Sequence, residues 1–417
     1  MVSQASSATR DDLAALDQRD PLRIYRERSE LPEGIIYLDG NSLGPLPKGV
    51  KARMREVVET QWGHDLIAGW NLHDWVNLPG RVGAKIAQLV GAESDEVIAT
   101  DSTSINLFKL LAGAVLLRPE RRVIVSDSDN FPTDLYMAQG VNELFGGRYE
   151  LRFVKHNQVP AAIDEDAAVV LLTHVDYRTG ARYDMPAITS LAHRHGALML
   201  WDLAHSAGAL SVDLNGCDAD LAVGCGYKYL NGGPGAPAFL FIARRLQAHL
   251  QPLLSGWFGH AAPFDFSADY APAIGIRRML CGTPPILSLA ALDAALDVFA
   301  DIDLQQIQDK SVMLTQSFIA LVEAHCAGFG LELATPRKPA ERGSQVCLTH
   351  SEGYAIVQAL IARGVIGDFR APNIVRFGFA PLYLRHQDVW DAAMHLHDVL
   401  ATRAWDTPKF KTRSLVT

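Results

Sequence analysis

The feature that most constrains the fold is a series of short apolar segments at 97–100, 122–125, 169–172, 197–201, 221–225 and 237–242, several separated by helix-like stretches such as 185–195. Apolar runs of this length without polar alternation are strands buried on both faces. Their alternation with helices marks βα units of a parallel sheet. The expected fold class is therefore α/β, with a mostly parallel central sheet flanked by helices. In an open sheet of this kind ligands gather beyond the carboxyl ends of the strands. Thr103, Phe131, Thr173, Asp202 and Lys228 all fall near such ends and can converge on one site.

Lys228 stands between Tyr227 and Tyr229, ahead of Gly232-Gly233-Pro234-Gly235, about one βα unit after Trp201-Asp202-Leu203-Ala204-His205. A lone loop lysine is ordinarily solvated, and a lone aspartate before a helix is ordinarily a cap. Together they meet the needs of pyridoxal 5'-phosphate, which takes an amine for its aldehyde, a carboxylate for its pyridinium nitrogen and donors for its phosphate. Thr100-Asp101-Ser102-Thr103-Ser104 precedes a helix-like stretch at 105–111. Hydroxyls and free N–H groups at a helix start suit a phosphate, and equally suit simple capping. In Asn130-Phe131-Pro132-Thr133-Asp134 the aromatic ring has two uses, stacking on a flat cofactor or packing in the core. Trp70 and Trp75 have the same two readings, packing between elements or walling a pocket.

A chain of 417 residues has room for two or three domains. Its net charge of −9, with Lys and Arg scattered, argues against nucleic acid or an anionic membrane as partner. No apolar run reaches the roughly 18 residues of a membrane span, and the polar start Met1-Val2-Ser3-Gln4-Ala5-Ser6-Ser7 lacks a signal peptide's apolar core, so a soluble, cytoplasmic protein is expected. Cys217, Cys225, Cys281, Cys326 and Cys347 form no C-x-x-C pair, so reduced thiols and no metal site are expected.

The motifs quoted above, with Ile36-Tyr37-Leu38-Asp39-Gly40-Asn41-Ser42-Leu43-Gly44, Leu254-Ser255-Gly256-Trp257-Phe258-Gly259-His260, Cys281-Gly282-Thr283 and Arg376-Phe377-Gly378-Phe379, run in order over nearly the whole chain. In them the sequence resembles the kynureninase family, fold-type-I pyridoxal phosphate enzymes of the aminotransferase superfamily, and its bacterial members most closely. The resemblance implies a hydrolase that cleaves L-kynurenine to anthranilate and L-alanine through a Schiff base, in the kynurenine pathway of tryptophan catabolism and NAD biosynthesis. It implies Lys228 as the Schiff-base amine and Asp202 as partner of the ring nitrogen. His205 would lie near the cofactor's phenolic oxygen, Phe131 on its ring, and Pro132, Thr133, Asp134 and Thr173 on the cofactor side. Thr103, Ser104 and Tyr227 match phosphate-contacting positions, and Trp257 and Thr283 positions that reach the phosphate of a neighbouring subunit. A homodimer with shared sites follows.

On the substrate side, the resemblance assigns Arg376 to the α-carboxylate and adds Asn41 and Trp70. Trp70, Gly282 and Thr283 favour unsubstituted kynurenine, with 3-hydroxykynurenine also accepted. Tyr227 is the candidate proton shuttle, and Lys228 the base for the α-proton. Asp176 and Arg178 stand where relatives often carry Asn and Lys, with size and polarity kept. A cysteine desulfurase-like lyase is the alternative within the superfamily, but such enzymes usually have histidines where Tyr227 and Phe131 stand. A non-catalytic binding relative is the alternative of another class, and the presence of Lys228, Asp202 and Arg376 speaks against it.

Residues 1–60 are expected to form an arm that joins the small domain, 61–305 the large cofactor-binding domain, and 306–417 a small α+β domain. Within the last, strands are expected at 344–349 and 374–379, helices at 353–363 and 386–401, and a substrate-covering loop at 367–372.

Overall fold

The structure, a computed structural model, describes residues 9–414. The polar start at 1–7 lies outside the described residues. Seven strands form the main sheet: β1 (Val97–Ala99), β2 (Val123–Asp127), β3 (Glu150–Val154), β4 (Ala167–Thr173), β5 (Leu198–Asp202), β6 (Leu221–Gly224) and β7 (Phe239–Ile242). Their order is β1-β7-β6-β5-β4-β2-β3. The strands from β6 across to β3 pair in parallel, whereas β7 runs antiparallel to both β6 and β1.

Alternate residues of the central strands feed two cores. Val170, Leu172, Met199 and Trp201 point to one face, and Val169, Leu171, Leu198 and Leu200 to the other. Fully burying one such side chain contributes about 1.5–3 kcal/mol, so helices must cover both faces. Strand β3 escaped the apolar-run reading because it is the half-exposed edge of the sheet.

Two helices aim their starts at the strand ends. Helix α1 (Thr103–Leu116) is capped by Ser102, whose hydroxyl accepts from the Ile105 N–H at 3.4 Å. Asp101, just ahead, takes a left-handed φ of 49°, which short polar side chains tolerate. Helix α2 (Pro132–Leu144) opens on a proline, whose missing N–H costs nothing in the first turn.

A second sheet of β8 (Glu332–Leu333), β9 (Gln345–Thr349), β10 (Asp368–Arg370) and β11 (Ile374–Gly378) is antiparallel in the order β8-β9-β11-β10. Segment 367–372, expected as a loop, holds a three-residue edge strand with polar ends, followed by a turn. The stretch 34–44 yields only a two-residue strand, Ile36–Tyr37, parallel to Val365–Ile366, followed by turns. Leu13 and Leu38 share a core with Phe318, Phe377 and Leu396, so the N-terminal segment packs into this second layer. Helix Leu304–His325 runs across residue 305, and helix His386–Ala401 covers the same core. The two parts meet where the Tyr229 hydroxyl donates to Ser344 O at 3.0 Å. That contact brings the Lys228 loop against the start of β9. Among the described residues no helix is long and apolar enough to cross a membrane.

Candidate active site

A cavity of about 200 Å³ opens where β4, β5 and β6 end. Thr173 and Asp202 are the last residues of β4 and β5, and Cys225 directly follows β6. Thr103 and Ser104, in the first turn of α1, close one side with hydroxyls and unpaired helix-start N–H groups. Phe131, Thr133 and Asp134 close another from the start of α2, and Tyr227 and Lys228 complete the lining. Pro132 sets the first turn of α2 behind them.

Lys228 Nζ lies 2.9 Å from His205 Nε2 and 5.9 Å from the ring centres of both Phe131 and Tyr227. Burial, with the charges of Lys228 and Arg376, holds His205 well below the ordinary histidine pKa, so the ring is neutral. Its Nε2 then accepts from Lys228, and Nδ1–H donates to Gln345 Oε1 at 3.2 Å. Gln345 in turn donates to Asp176 O at 2.9 Å. The Asp176 carboxylate ties its own turn by accepting from the Arg178 and Thr179 N–H groups at 3.1 and 2.6 Å.

Two carboxyl groups lie buried at the cavity floor. Asp202 Oδ1 accepts the Ala204 N–H at 2.7 Å, and burial raises its pKa against the pull of Lys228. Burial, and then the Asp202 charge, push Asp134 well above the usual carboxylate range. The Thr173 hydroxyl lies 3.2 Å from Asp134 Oδ2, while Asp134 Oδ1 is buried with no partner. A flat ring bearing one N–H is the group that an acceptor-rich floor under Phe131 suits, with an anion at α1 and an aldehyde at Lys228. The donor set thus fits pyridoxal phosphate.

Five expected residues, Trp70, Trp257, Thr283, Asn41 and Arg376, do not line this cavity. Trp70 meets Trp75 edge-on at 5.5 Å and Phe258 at 5.8 Å, as packing between elements. Trp257 is 41% exposed beside Phe258 and Phe266, and Thr283 is exposed. Asn41 is fully buried with both amide atoms unpartnered. It presses on Gly378, where an added Cβ would fall 2.0 Å from Asn41 Oδ1, so only glycine fits. Gly44 likewise lets its backbone reach the Lys228 loop, donating to Tyr227 O at 2.8 Å.

Arg376 is 1% exposed on β11, and its fork faces Asp368: Nε donates to Oδ1 at 2.7 Å and Nη2 to Oδ2. Nη2 also donates to Ser42 Oγ at 2.8 Å and Nη1 to Tyr177 O at 2.7 Å. Sequence reasoning passed over Gln345, Asp368, Ser42 and Tyr177. The one available signal was Gln345, a polar residue at the head of the mostly apolar strand β9.

Fold and site together define a fold-type-I pyridoxal phosphate enzyme. The cysteine desulfurase of Thermococcus onnurineus NA1 shares the fold, with a TM-score of 0.78 at 20% identity over 91% of this chain and 98% of that one. The chain belongs to the kynureninase family. It is 53% identical to the kynureninase of Burkholderia mallei and 51% identical to that of Pseudomonas fluorescens, each over 98% of this chain and 100% of the relative. Residues 307–396 match the family model of the kynureninase C-terminal domain.

Proposed function

We propose that this protein hydrolyses L-kynurenine to anthranilate and L-alanine, accepting 3-hydroxykynurenine less well. The observation that carries the reading is the Lys228 amine, hydrogen-bonded to a neutral His205, in one cavity with two buried carboxyls, an aromatic ring and a helix start. Asp202 and Asp134 would hold the ring nitrogen, Phe131 the ring face, Thr103, Ser104 and Tyr227 the phosphate, and Lys228 the aldehyde. Once bound, pyridoxal phosphate supplies an electron sink for the charge left on the amino acid when Cα–H and Cβ–Cγ bonds break.

The chain's own residues supply the rest. Arg376 gives the site a positive pole for the α-carboxylate. Lys228, once free, takes the α-proton, and His205 Nε2 orients its amine. Burial pushes the Tyr227 hydroxyl up to about 12, so it stays protonated at neutral pH and can donate during hydration of the γ-carbonyl and at Cβ. Against the desulfurase reading, Cys225, the cysteine that lines the cavity, is kept a thiol because burial raises its pKa.

A homodimer with shared sites is supported by the position of Trp257 and Thr283 outside the chain's own cavity. Ile67, Phe266 and Ile274, 81%, 76% and 92% exposed, are the kind of apolar surface that a partner covers. The test of function is to supply L-kynurenine, 3-hydroxykynurenine and L-cysteine in parallel to the cofactor-loaded protein. The expected order of kcat/KM places L-kynurenine first, with anthranilate fluorescence and no sulfide. Sulfide from L-cysteine without anthranilate would replace the reading by the desulfurase one.

A further inference from the structure

A chain of buried hydrogen bonds behind the cavity floor fixes where one proton sits. It starts at Ser126 in β2, whose hydroxyl donates to Leu171 O of β4 at 2.6 Å. With that proton spent, Ser126 Oγ accepts, and the Asn130 amide Nδ2 donates to it at 3.2 Å. The other end of the amide is set independently, because Asn130 Oδ1 accepts the Phe131 N–H at 2.7 Å. Thr173 Oγ1 meets this same Oδ1. A hydroxyl has one proton and an amide oxygen only accepts, so Thr173 donates to Asn130 and turns its lone pairs elsewhere. They face Asp134 Oδ2, 3.2 Å away. All four residues are buried, so an ionised Asp134 would leave two oxygens at hydrogen-bond distance with no proton between them. A carboxylic acid supplies that proton. Its other oxygen, Oδ1, is buried with no partner among the described residues, which a neutral carbonyl tolerates better than a charged oxygen.

We propose that Asn130 is a positioning residue that, by taking the Thr173 proton, holds Asp134 as a neutral acid and leaves Asp202 the single carboxylate under the cofactor's ring. Two carboxylates that share a buried site repel, and one of them keeps a proton. The hydrogen bonds decide which. Asp202 accepts the Ala204 N–H at 2.7 Å, a bond that favours its ionised form, whereas Asp134 faces an oxygen that has no proton to give. Burial, and then the Asp202 charge, push Asp134 the same way, while Lys228 and Asn130 pull against them more weakly. A hydroxyl donor at Thr173 would also pull against them, but its proton is committed to Asn130. Asn130 Oδ1 thus serves twice, fixing the backbone of Phe131 at the start of α2 and the protonation of the floor beneath that ring.

The consequence for the ring rests on the proposed cofactor-side roles of Asp202 and Asp134, whereas the protonation itself can be read directly. Infrared spectra of the cofactor-loaded protein at neutral pH separate the C=O stretch of a carboxylic acid from carboxylate bands, and subtracting the Asp134→Asn spectrum isolates the part due to Asp134. The wild type is expected to show that acid band. Asn130→Leu frees the Thr173 proton to turn towards Asp134 Oδ2 and stabilise its ionised form. The proton affinity of Asp134, read as the pH at which the band vanishes, should then fall about ten- to hundredfold, the value of a hydrogen bond to a charged group. Thr173→Val takes away the acceptor of the acid's O–H, so the band should persist and move to higher frequency. That variant decides the matter if Asn130→Leu fails to fold. A wild-type difference spectrum without the acid band overturns the proposal, as does an Asn130→Leu band that vanishes at the same pH as in wild type, or a Thr173→Val band that is lost or unmoved. A protein that shows the expected bands and yields no anthranilate from L-kynurenine would refute the functional reading alone.

Discussion

His205 and Lys228 stand 2.9 Å apart, and what fixes the direction of that bond is a residue on another sheet. Gln345 accepts the Nδ1 proton, so the tautomer with Nε2 free is the one present. Gln345→Leu leaves that buried N–H without an acceptor. It is expected to cost about 1–3 kcal/mol of stability in urea unfolding and to lower kcat, whereas Gln345→Glu should restore most of the turnover. Tyr227→Phe is expected to lower kcat by about a hundredfold with KM little changed, and full turnover would remove Tyr227 from proton transfer. Lys228 and Asp202 were legible in the sequence because the cofactor's chemistry demands an amine and an acid at successive strand ends. Gln345 and Asp368 were not, because their partners stand 140 and 8 residues away and only the pairing of strands brings them together.

Among elements, the join between the N-terminal segment and the small sheet carries a pH signature. Asp39 bridges to Gly378 of β11, and burial, then repulsion from Asp368, raises its pKa from 3.8 to about 7. Between these values the folded chain holds a proton that the unfolded chain releases. The stability it confers is full below about pH 4 and is lost as pH rises through about 7. Asp39→Asn removes that loss, so the variant's Tm relative to wild type should climb from pH 5 to pH 8, and parallel Tm curves would refute the shift. Midway along α1, fully buried Lys109 pairs with Asp101, which lies just ahead of the helix, and donates to Met279 O at 2.6 Å. Lys109→Met should destabilise by about 1–3 kcal/mol, seen in thermal or urea unfolding, because it leaves the Met279 carbonyl without its donor and Asp101 with the Thr100 hydroxyl alone. Apolar strands and helix starts could be read from the sequence, whereas β3 and β10 could not. Edge strands have half-exposed, polar-ended patterns that look like loops.

The whole molecule brings two cores together at the Lys228 loop, and the sequence showed their succession but not the Tyr229–Ser344 contact that sets the loop against β9. The proposed homodimer with shared sites makes a prediction that no single subunit can meet. Mixing inactive Lys228→Ala with a variant impaired at Trp257 and Thr283, then allowing subunits to exchange, should restore about a quarter of wild-type activity, since half the dimers are hybrids with one intact site. No recovery after exchange would make the sites self-contained.

The most direct test is the product balance from L-kynurenine with cofactor-loaded wild type and Lys228→Ala side by side. Wild type should release anthranilate and L-alanine in equal amounts, while Lys228→Ala releases neither and loses the cofactor's visible absorption band. Equal products from Lys228→Ala, or a wild type that binds the cofactor and leaves L-kynurenine intact, would contradict the account.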